Sequence, residues 1–425
     1  MRDRSLVRAA GPFATLLGAV AWAGCGGASS TSSAAGGHSG AATGGAGGKA
    51  GESGALGGSA GGATAGQSGA GGGVIGTDGG TSSGCATTAA THIAPGGYYV
   101  NGNTVCTAAG NPHMFHGVDR PSLEWSPTGE QLSASDFQLQ ASWDANIVRI
   151  ALNQDFWLSD SPIADASYPT TVDAAVTWAE EAGMDVILDL HWSDQGVLGS
   201  CDPATACQQL MADTNSITFW SQVAAVYKSD GRVLFEMYNE PHDISWAVWK
   251  SGGATSQGWT AAGMQQLYDA IRAAGADNLV IAGGLSFAYD LSGVPQNRIQ
   301  GYNIMYATHP YAGDPSKSPL QWDSHWGFLA ATDPVVMTEF GDSTDCSGQT
   351  YTPAISTYVS QLLSYADQNR INWTAWAWYP GGCGFPSLIM DWEGTPTPPG
   401  LLVQASLQTY SDDPSPGGKR SPQGP

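Results

Sequence analysis

The sequence predicts an α/β fold, a (β/α)8 TIM barrel with a small N-terminal β-hairpin, and three observations lead there. Between residues 85 and 411, short apolar runs alternate with amphipathic stretches, the rhythm of βα units around a parallel sheet. Eight such runs can be read, the number that closes a barrel. Their span, roughly 300 residues, suits a barrel with insertions better than an open doubly wound sheet.

Taken in order, residues 1–25 read as an export signal. Arg2, Arg4 and Arg8 precede the apolar stretch "PFATLLGAVAWA", which is too short to be an ordinary membrane span, and "WAGC" is similar to the lipobox of bacterial lipoproteins. On that reading Cys25 carries lipid. Trp22 stands where the pattern has Leu, so plain secretion is the other reading. Residues 26–84, nearly all Gly, Ala, Ser and Thr, offer no apolar periodicity and are expected to be a flexible tether. Such a tether gives a domain a reach on the order of 40 Å from a membrane surface.

"GGYYVNGNTVCTAAGNPHMF" is expected to form the hairpin that closes the barrel floor. The eight strands are then "MFHGVD" (114–119), "NIVRIAL" (146–152), "DVILDLH" (185–191), "VLFEMYN" (233–239), "NLVIAGG" (278–284), "NIMYATH" (303–309), "PVVMTEF" (334–340) and "WTAWAWY" (373–379). Helices are expected in "SASDFQLQASW", "TVDAAVTWAEEAG", "SITFWSQVAAVYKSDG", "AAGMQQLYDAIRAAG" and "AISTYVSQLLSYADQN", the second and fourth closed by Gly. Residues 412–425 read as a disordered tail. One catalytic domain therefore occupies 85–411.

Composition narrows the function. The formal net charge of -22, with few Lys or Arg in the barrel region, argues against nucleic acid or an anionic polysaccharide as partner. Setting Cys25 aside leaves an even six cysteines, which in an exported chain read as three disulfides. Of the fifteen pairings, neighbours are expected: Cys85 with Cys106, Cys201 with Cys207, Cys346 with Cys383. With no CxxC pair, no HExxH and scattered histidines, no metal site and no cofactor are expected.

In such a barrel the chemistry sits at the C-terminal strand ends. Those ends carry Arg149 on the second strand, His191 on the third, Asn239 and Glu240 on the fourth, and His309 then Tyr311 on the sixth. The seventh adds Glu339 and the eighth Trp376 and Trp378. Two carboxylates thus arrive at one mouth from opposite sides, the equipment for cleaving a glycosidic bond. An apolar strand end beside a second carboxylate is also where the Glu240 pKa is expected to rise. Sequence leaves the gap between the two glutamates open, and with it the choice between retention and inversion.

"NIVRIAL", "LDLHW", "YNEPHD", "THPY", "MTEFG" and "WTAWAW", in this order over 114–400, resemble glycoside hydrolase family 5, in the clan of retaining (β/α)8 glycosidases. The resemblance implies Glu240 as general acid/base and Glu339 as nucleophile. It implies that Asn239 binds the sugar 2-hydroxyl, that Arg149 and Tyr311 hold Glu339, and that His191, His309 and Trp376 line the subsite of bond cleavage. The expected activity is that of an endo-β-1,4-glucanase without cofactor. A β-mannanase, a xyloglucanase, a mixed-linkage glucanase or a carbohydrate-binding protein on an inactive barrel are the alternatives. The expected partner is a β-linked polysaccharide met by a monomer whose only membrane contact is lipid on Cys25, at the cell surface or outside the cell.

For the other aromatic and imidazole residues the expectations divide by position. Trp143, Trp178 and Trp220 lie within helices and are assigned to the core. Trp157, Trp192, Trp246, Trp249 and Trp392 follow strand ends and are candidates for stacking on sugars. His116, on the first strand, is a candidate for facing the cleft.

Overall fold

The computed structural model describes residues 85, 91–193, 209–312, 315–342, 353–382 and 385–411. The export signal, the tether, the tail, and Cys201, Cys207, Cys346 and Cys383 lie outside the described residues.

Eight parallel strands close into a barrel. They are His116–Arg120, Ile147–Asn153, Asp185–Trp192, Val233–Glu236, Val280–Gly283, Ile304–Thr308, Val335–Met337 and Asn372–Ala375, and the last pairs with the first through Trp373 beside His116. The fourth strand ends three residues earlier than the sequence pattern suggests. Its continuation stays tied to both neighbours, because Met237 N–H donates to the Ile281 carbonyl and Asn239 N–H to that of Leu190.

The helices form where apolar spacing and caps call for them. Ser133 accepts from Asp136 N–H at the start of Ala134–Ser142, and Gly183 and Gly275, at φ +90° and +86°, follow the helices Tyr168–Glu181 and Met264–Ala273. Asn215–Tyr227 and Pro353–Asn369 supply the others that were expected. A final helix, Pro398–Ser411, was not among them. It packs beside Pro353–Asn369 at the C-terminal end of the chain.

Strand alternation separates two interiors. Val148, Ile150, Val186, Leu188, Val233 and Phe235 face the helices and join one apolar cluster. Their alternates Ile147, Ile187, Leu234, Met305 and Val336 point into the barrel and form its apolar lower half with Tyr98, Val105 and Phe115. Above them, on the same inward register, come Arg149, Asp189, Glu236, His309 and Thr338, all fully buried. Apolar side chains thus fill the lower barrel and polar ones its upper end.

The N-terminal element is a three-stranded antiparallel sheet, Tyr98–Asn101, Thr104–Thr107 and Pro112–His113, rather than a two-stranded hairpin. It closes the floor as expected, with Tyr98 and Val105 inside the lower cluster. Cys85 bonds to Cys106 on its middle strand. Asn303 pins it from the barrel side, its Oδ1 accepting from Val100 N–H and its Nδ2 donating to the His92 carbonyl. His116 departs from expectation. It stacks on Tyr410 of the final helix, 3.6 Å between ring centroids, at the opposite end of its strand from the cleft. Burial lowers its pKa to about 3.

Gly97 and Gly231 bring this segment against the loop before the fourth strand, where Gly231 N–H donates to the Pro95 carbonyl at 2.9 Å. A Cβ on Gly97 would lie 2.6 Å from Gly231 Cα, closer than real contacts allow. Gly97→Ala is therefore expected to lift the floor sheet and lower stability by about 1–3 kcal/mol, as overpacking does, with turnover kept. Denaturant unfolding beside an activity assay measures both.

Candidate active site

Arg149 sits at the centre of the upper barrel with no exposed surface. Its Nε donates to Glu236 Oε2 at 2.5 Å and its Nη1 to Glu339 Oε1 at 2.8 Å, with Asp119 Oδ1 at 3.5 Å. Its Nη2 reaches Asp189 Oδ2 at 2.9 Å and Asn239 Oδ1 at 2.6 Å. Burial works against the guanidinium charge, but these four carboxylates outweigh it and raise the Arg149 pKa further.

Glu339 accepts from Arg149 on one oxygen and from the Tyr311 hydroxyl on the other, at 2.6 Å. Glu240, 8% exposed, meets His309 Nδ1 at 2.9 Å through Oε1. One oxygen of each glutamate and a ring nitrogen of His309 all lie within 4.8 Å of one another. Among the described residues this trio is also the only group arranged like metal ligands. Its atoms are already matched to each other and to the Arg149 and Tyr311 donors.

His191 holds its orientation through Nδ1 to Asp189 Oδ2 at 2.7 Å, and Asn239 Nδ2 lies 3.4 Å from its other nitrogen. Trp376 stacks beside it, rings 5.3 Å apart and 11° from parallel. All eight residues singled out from the sequence (Glu240, Glu339, Arg149, His191, Asn239, His309, Tyr311 and Trp376) therefore meet in one connected site. Trp378, two residues on, points the other way and donates to Asp136 in the core, edge-on to Trp143.

A lower tier was missed by reading only the strand ends. Asp119, Asp189, Glu236 and Thr338 lie within the barrel rather than at its rim, and Thr374 donates to Asp119. The signal was available: stepping back by two from His191 gives Asp189, and stepping on by two from apolar Leu234 gives Glu236. Burial raises Asp189 and Glu236 to about 7, against the pull of Arg149, and raises Asp119 well above the usual carboxylate range. The same burial lowers both His191 and His309 to about 4, keeping the imidazoles neutral, and raises Tyr311. Glu124, beyond the first strand, was also missed. Burial pushes it up to about 8, and among the described residues only its Oε2 has a partner, the Ser122 N–H at 2.7 Å.

Two of the proposed stacking tryptophans belong to the core. Trp249 has no exposed surface and donates to the Gly283 carbonyl, and Trp157 is buried edge-on to Phe219. Trp192, Trp246 and Trp392 are half-buried, Trp246 packing against Trp249. Aromatic surface that was not foreseen continues from Trp376 through Phe385 and Tyr379 to Trp125, neighbouring rings 5.5–6.1 Å apart.

The family model Cellulase (glycosyl hydrolase family 5) matches residues 106–382. Endoglucanase 5 of Pectobacterium carotovorum subsp. carotovorum is 25% identical over 295 residues, 69% of this chain and 52% of its own length. Endoglucanase CelA of Streptomyces lividans is 27% identical over 344 residues, 75% of this chain and 66% of that one. The chain thus spans about half to two thirds of these relatives. The solved structure of the β-glucanase SdGluc5_26A from Saccharophagus degradans, in complex with cellotetraose, superposes with a TM-score of 0.61 at 25% identity, covering 74% of this chain and 94% of that one.

The buried carboxyls make stability depend on pH in a definite direction. Asp189 and Glu236 at about 7 and Glu124 at about 8 stand above the ordinary range near 4, so the folded state binds more protons than the unfolded one between these values. Their contribution is complete below about pH 4 and is lost as pH rises through 7 and 8. Thermal melts are expected to fall by several degrees from pH 5 to pH 9. Glu124→Gln, which fixes the neutral shape, should flatten the upper part of that fall.

Proposed function

The chain belongs to glycosyl hydrolase family 5, and from that premise we propose that it is a glycosidase of the cellulase type that cleaves internal β-1,4 bonds of a β-glucan with retention of configuration. The observation that carries the mechanism is the approach of Glu240 and Glu339 to within 4.8 Å. Retaining enzymes hold their carboxyls ~5–5.5 Å apart, and inverting ones leave ~6.5–9.5 Å for a water.

In the first step Glu339 attacks the anomeric carbon while Glu240 gives its proton to the departing oxygen. The C–O bond to the leaving sugar breaks as the bond to Glu339 forms. Water then attacks the same carbon, Glu240 takes its proton, and Glu339 leaves, so both glutamates return to their starting forms. Arg149 and Tyr311 orient Glu339 for attack. Asn239, whose Oδ1 is held by Arg149, turns its Nδ2 group toward the sugar 2-hydroxyl. Trp376, backed by His191, is the aromatic surface on which that sugar rests.

The β-glucan assignment is supported by the endoglucanase relatives and by the cellotetraose bound to the Saccharophagus β-glucanase. We also propose that the chain is exported and anchored through lipid on Cys25, on the strength of "WAGC" after a basic and apolar start. Mass analysis of the mature chain decides this, and a first residue other than a diacylated Cys25 would overturn it.

A panel of cellulose, mixed-linkage glucan, xyloglucan and mannan, assayed for reducing ends with Glu339→Ala as control, tests the substrate. The β-1,4-glucans are expected to be cut fastest. Faster release from mannan or xyloglucan would reassign the backbone, and binding without turnover would indicate an inactive barrel. Proton NMR of the first product formed should show the β-anomer; the α-anomer would rule out retention. Glu240→Ala should slow unactivated glucans by roughly 10²–10⁴.

A further inference from the structure

Beneath Glu240 runs a line of side chains that double displacement does not itself require. Glu240 Oε1 faces His309 Nδ1 at 2.9 Å, His309 Nε2 faces Thr338 Oγ1 at 3.0 Å, and Thr338 Oγ1 faces Glu236 Oε1 at 2.6 Å. All four residues are buried, the last three completely. Each contact is a hydrogen bond only when one proton lies within it. The Thr338 hydroxyl supplies one and a neutral imidazole supplies another.

The third proton has three places to be. It sits on Glu240 with every bond directed toward Glu236, on Glu236 with every bond directed toward Glu240, or on His309 as imidazolium. Without it, one of the three contacts turns into two facing lone pairs: His309 Nδ1 against Glu240, His309 Nε2 against Thr338 Oγ1, or Thr338 Oγ1 against Glu236. In a buried site such a fault costs about as much as an unmade hydrogen bond, ~1–3 kcal/mol.

We propose that Glu236, Thr338 and His309 are positioning residues that retain one proton on this line and keep the general acid Glu240 loaded with it. The inference rests on the reading of Glu240 as that acid. Its neighbours set where the proton resides. Burial disfavours the imidazolium, holding His309 at about 4. At the far end Arg149 Nε, 2.5 Å from Glu236 Oε2, favours the Glu236 anion although burial raises that group to about 7. Glu339 lies 3.6 Å from His309 Nδ1 and 3.9 Å from His191 Nδ1, its carboxylate met by Arg149 and Tyr311, while Asp189 and Asp119 flank Arg149 on its other sides. The Arg149 contact thus works against the burial that would keep the proton on Glu236 and favours its residence at Glu240, the end beside the glycosidic oxygen.

The line serves both halves of the reaction. Once Glu240 has passed its proton to the leaving oxygen, the line is one proton short and carries a lone-pair fault. That fault strengthens Glu240 as the base that removes a proton from water, and the proton so gained restores the line.

Thr338→Val keeps the shape and removes the hydroxyl that joins the two ends. The readout is the pH profile of kcat/KM on cellotetraose and on a dinitrophenyl cellobioside, whose leaving group needs no acid. The basic limb on cellotetraose is expected to move down by about one pH unit, the worth of roughly one hydrogen bond. Thr338→Ser should restore it, and the dinitrophenyl substrate should be unaffected. A basic limb that stays in place in Thr338→Val overturns the line. Glu240→Ala, measured alongside, separates the two readings. Loss on cellotetraose with the dinitrophenyl substrate spared upholds Glu240 as the acid, whereas equal loss on both overturns that reading and the line with it.

Discussion

One buried guanidinium holds this site together. Arg149 is the single cation among Asp119, Asp189, Glu236 and Glu339, and each of its three nitrogens lies within 3 Å of at least one of the surrounding oxygens. Taking so many charged groups from water is costly, and attraction recovers that cost only where geometry is good and lone pairs are met. The planar, always charged fork of arginine suits this, whereas a lysine ammonium would serve fewer partners at once. Burial raises Asp119 and Asp189, and with one cation facing four carboxylates part of the acid complement is held neutral. The centre is therefore an organised store of protons as well as of charge.

That store is tolerable because the barrel beneath it is not polar. Ile147, Ile187, Leu234, Met305 and Val336 fill the lower interior, and the floor sheet seals it with Tyr98 and Val105. Outside, the strands lie under a continuous apolar layer that includes Trp220, Trp249, Trp322 and Trp326. Stability comes from these two interiors. The polar upper end draws on it, since carboxyls kept neutral and imidazoles kept uncharged are less comfortable there than apolar side chains of the same volume.

The tiers of the upper barrel divide the work. Glu240, Glu339, Tyr311 and Trp376 reach the mouth, where the proposed substrate would meet them. Asp189, Glu236, Thr338 and Asp119 lie one step lower and act only through others: Asp189 orients His191, and Thr338 joins His309 to Glu236. Rotamers of the upper tier are thereby fixed by the lower one. Hydrogen bonds between buried groups are worth more for direction than for net stability, and a site that must place two carboxyls within a few tenths of an ångström needs that direction.

What the sequence determined alone is what local chemistry determines. Eight β-prone runs at βα spacing specified a barrel, glycines at 183 and 275 marked helix ends, and the residues at and beyond the strand ends named every member of the upper tier; Arg149, expected at a strand end, is the third of seven residues in its strand and lies level with Asp119. Only the tertiary structure decided the rest. The gap between Glu240 and Glu339 depends on barrel circumference and on where two strands stop, which no local pattern encodes. Whether His116 or Trp249 meets the cleft depends on which face of a strand or helix the surrounding layer covers, and the unforeseen final helix covers His116. The lower tier stayed hidden for a similar reason. A carboxylate in mid-strand reads as an unfavourable residue until closure of the barrel brings Arg149 across to it.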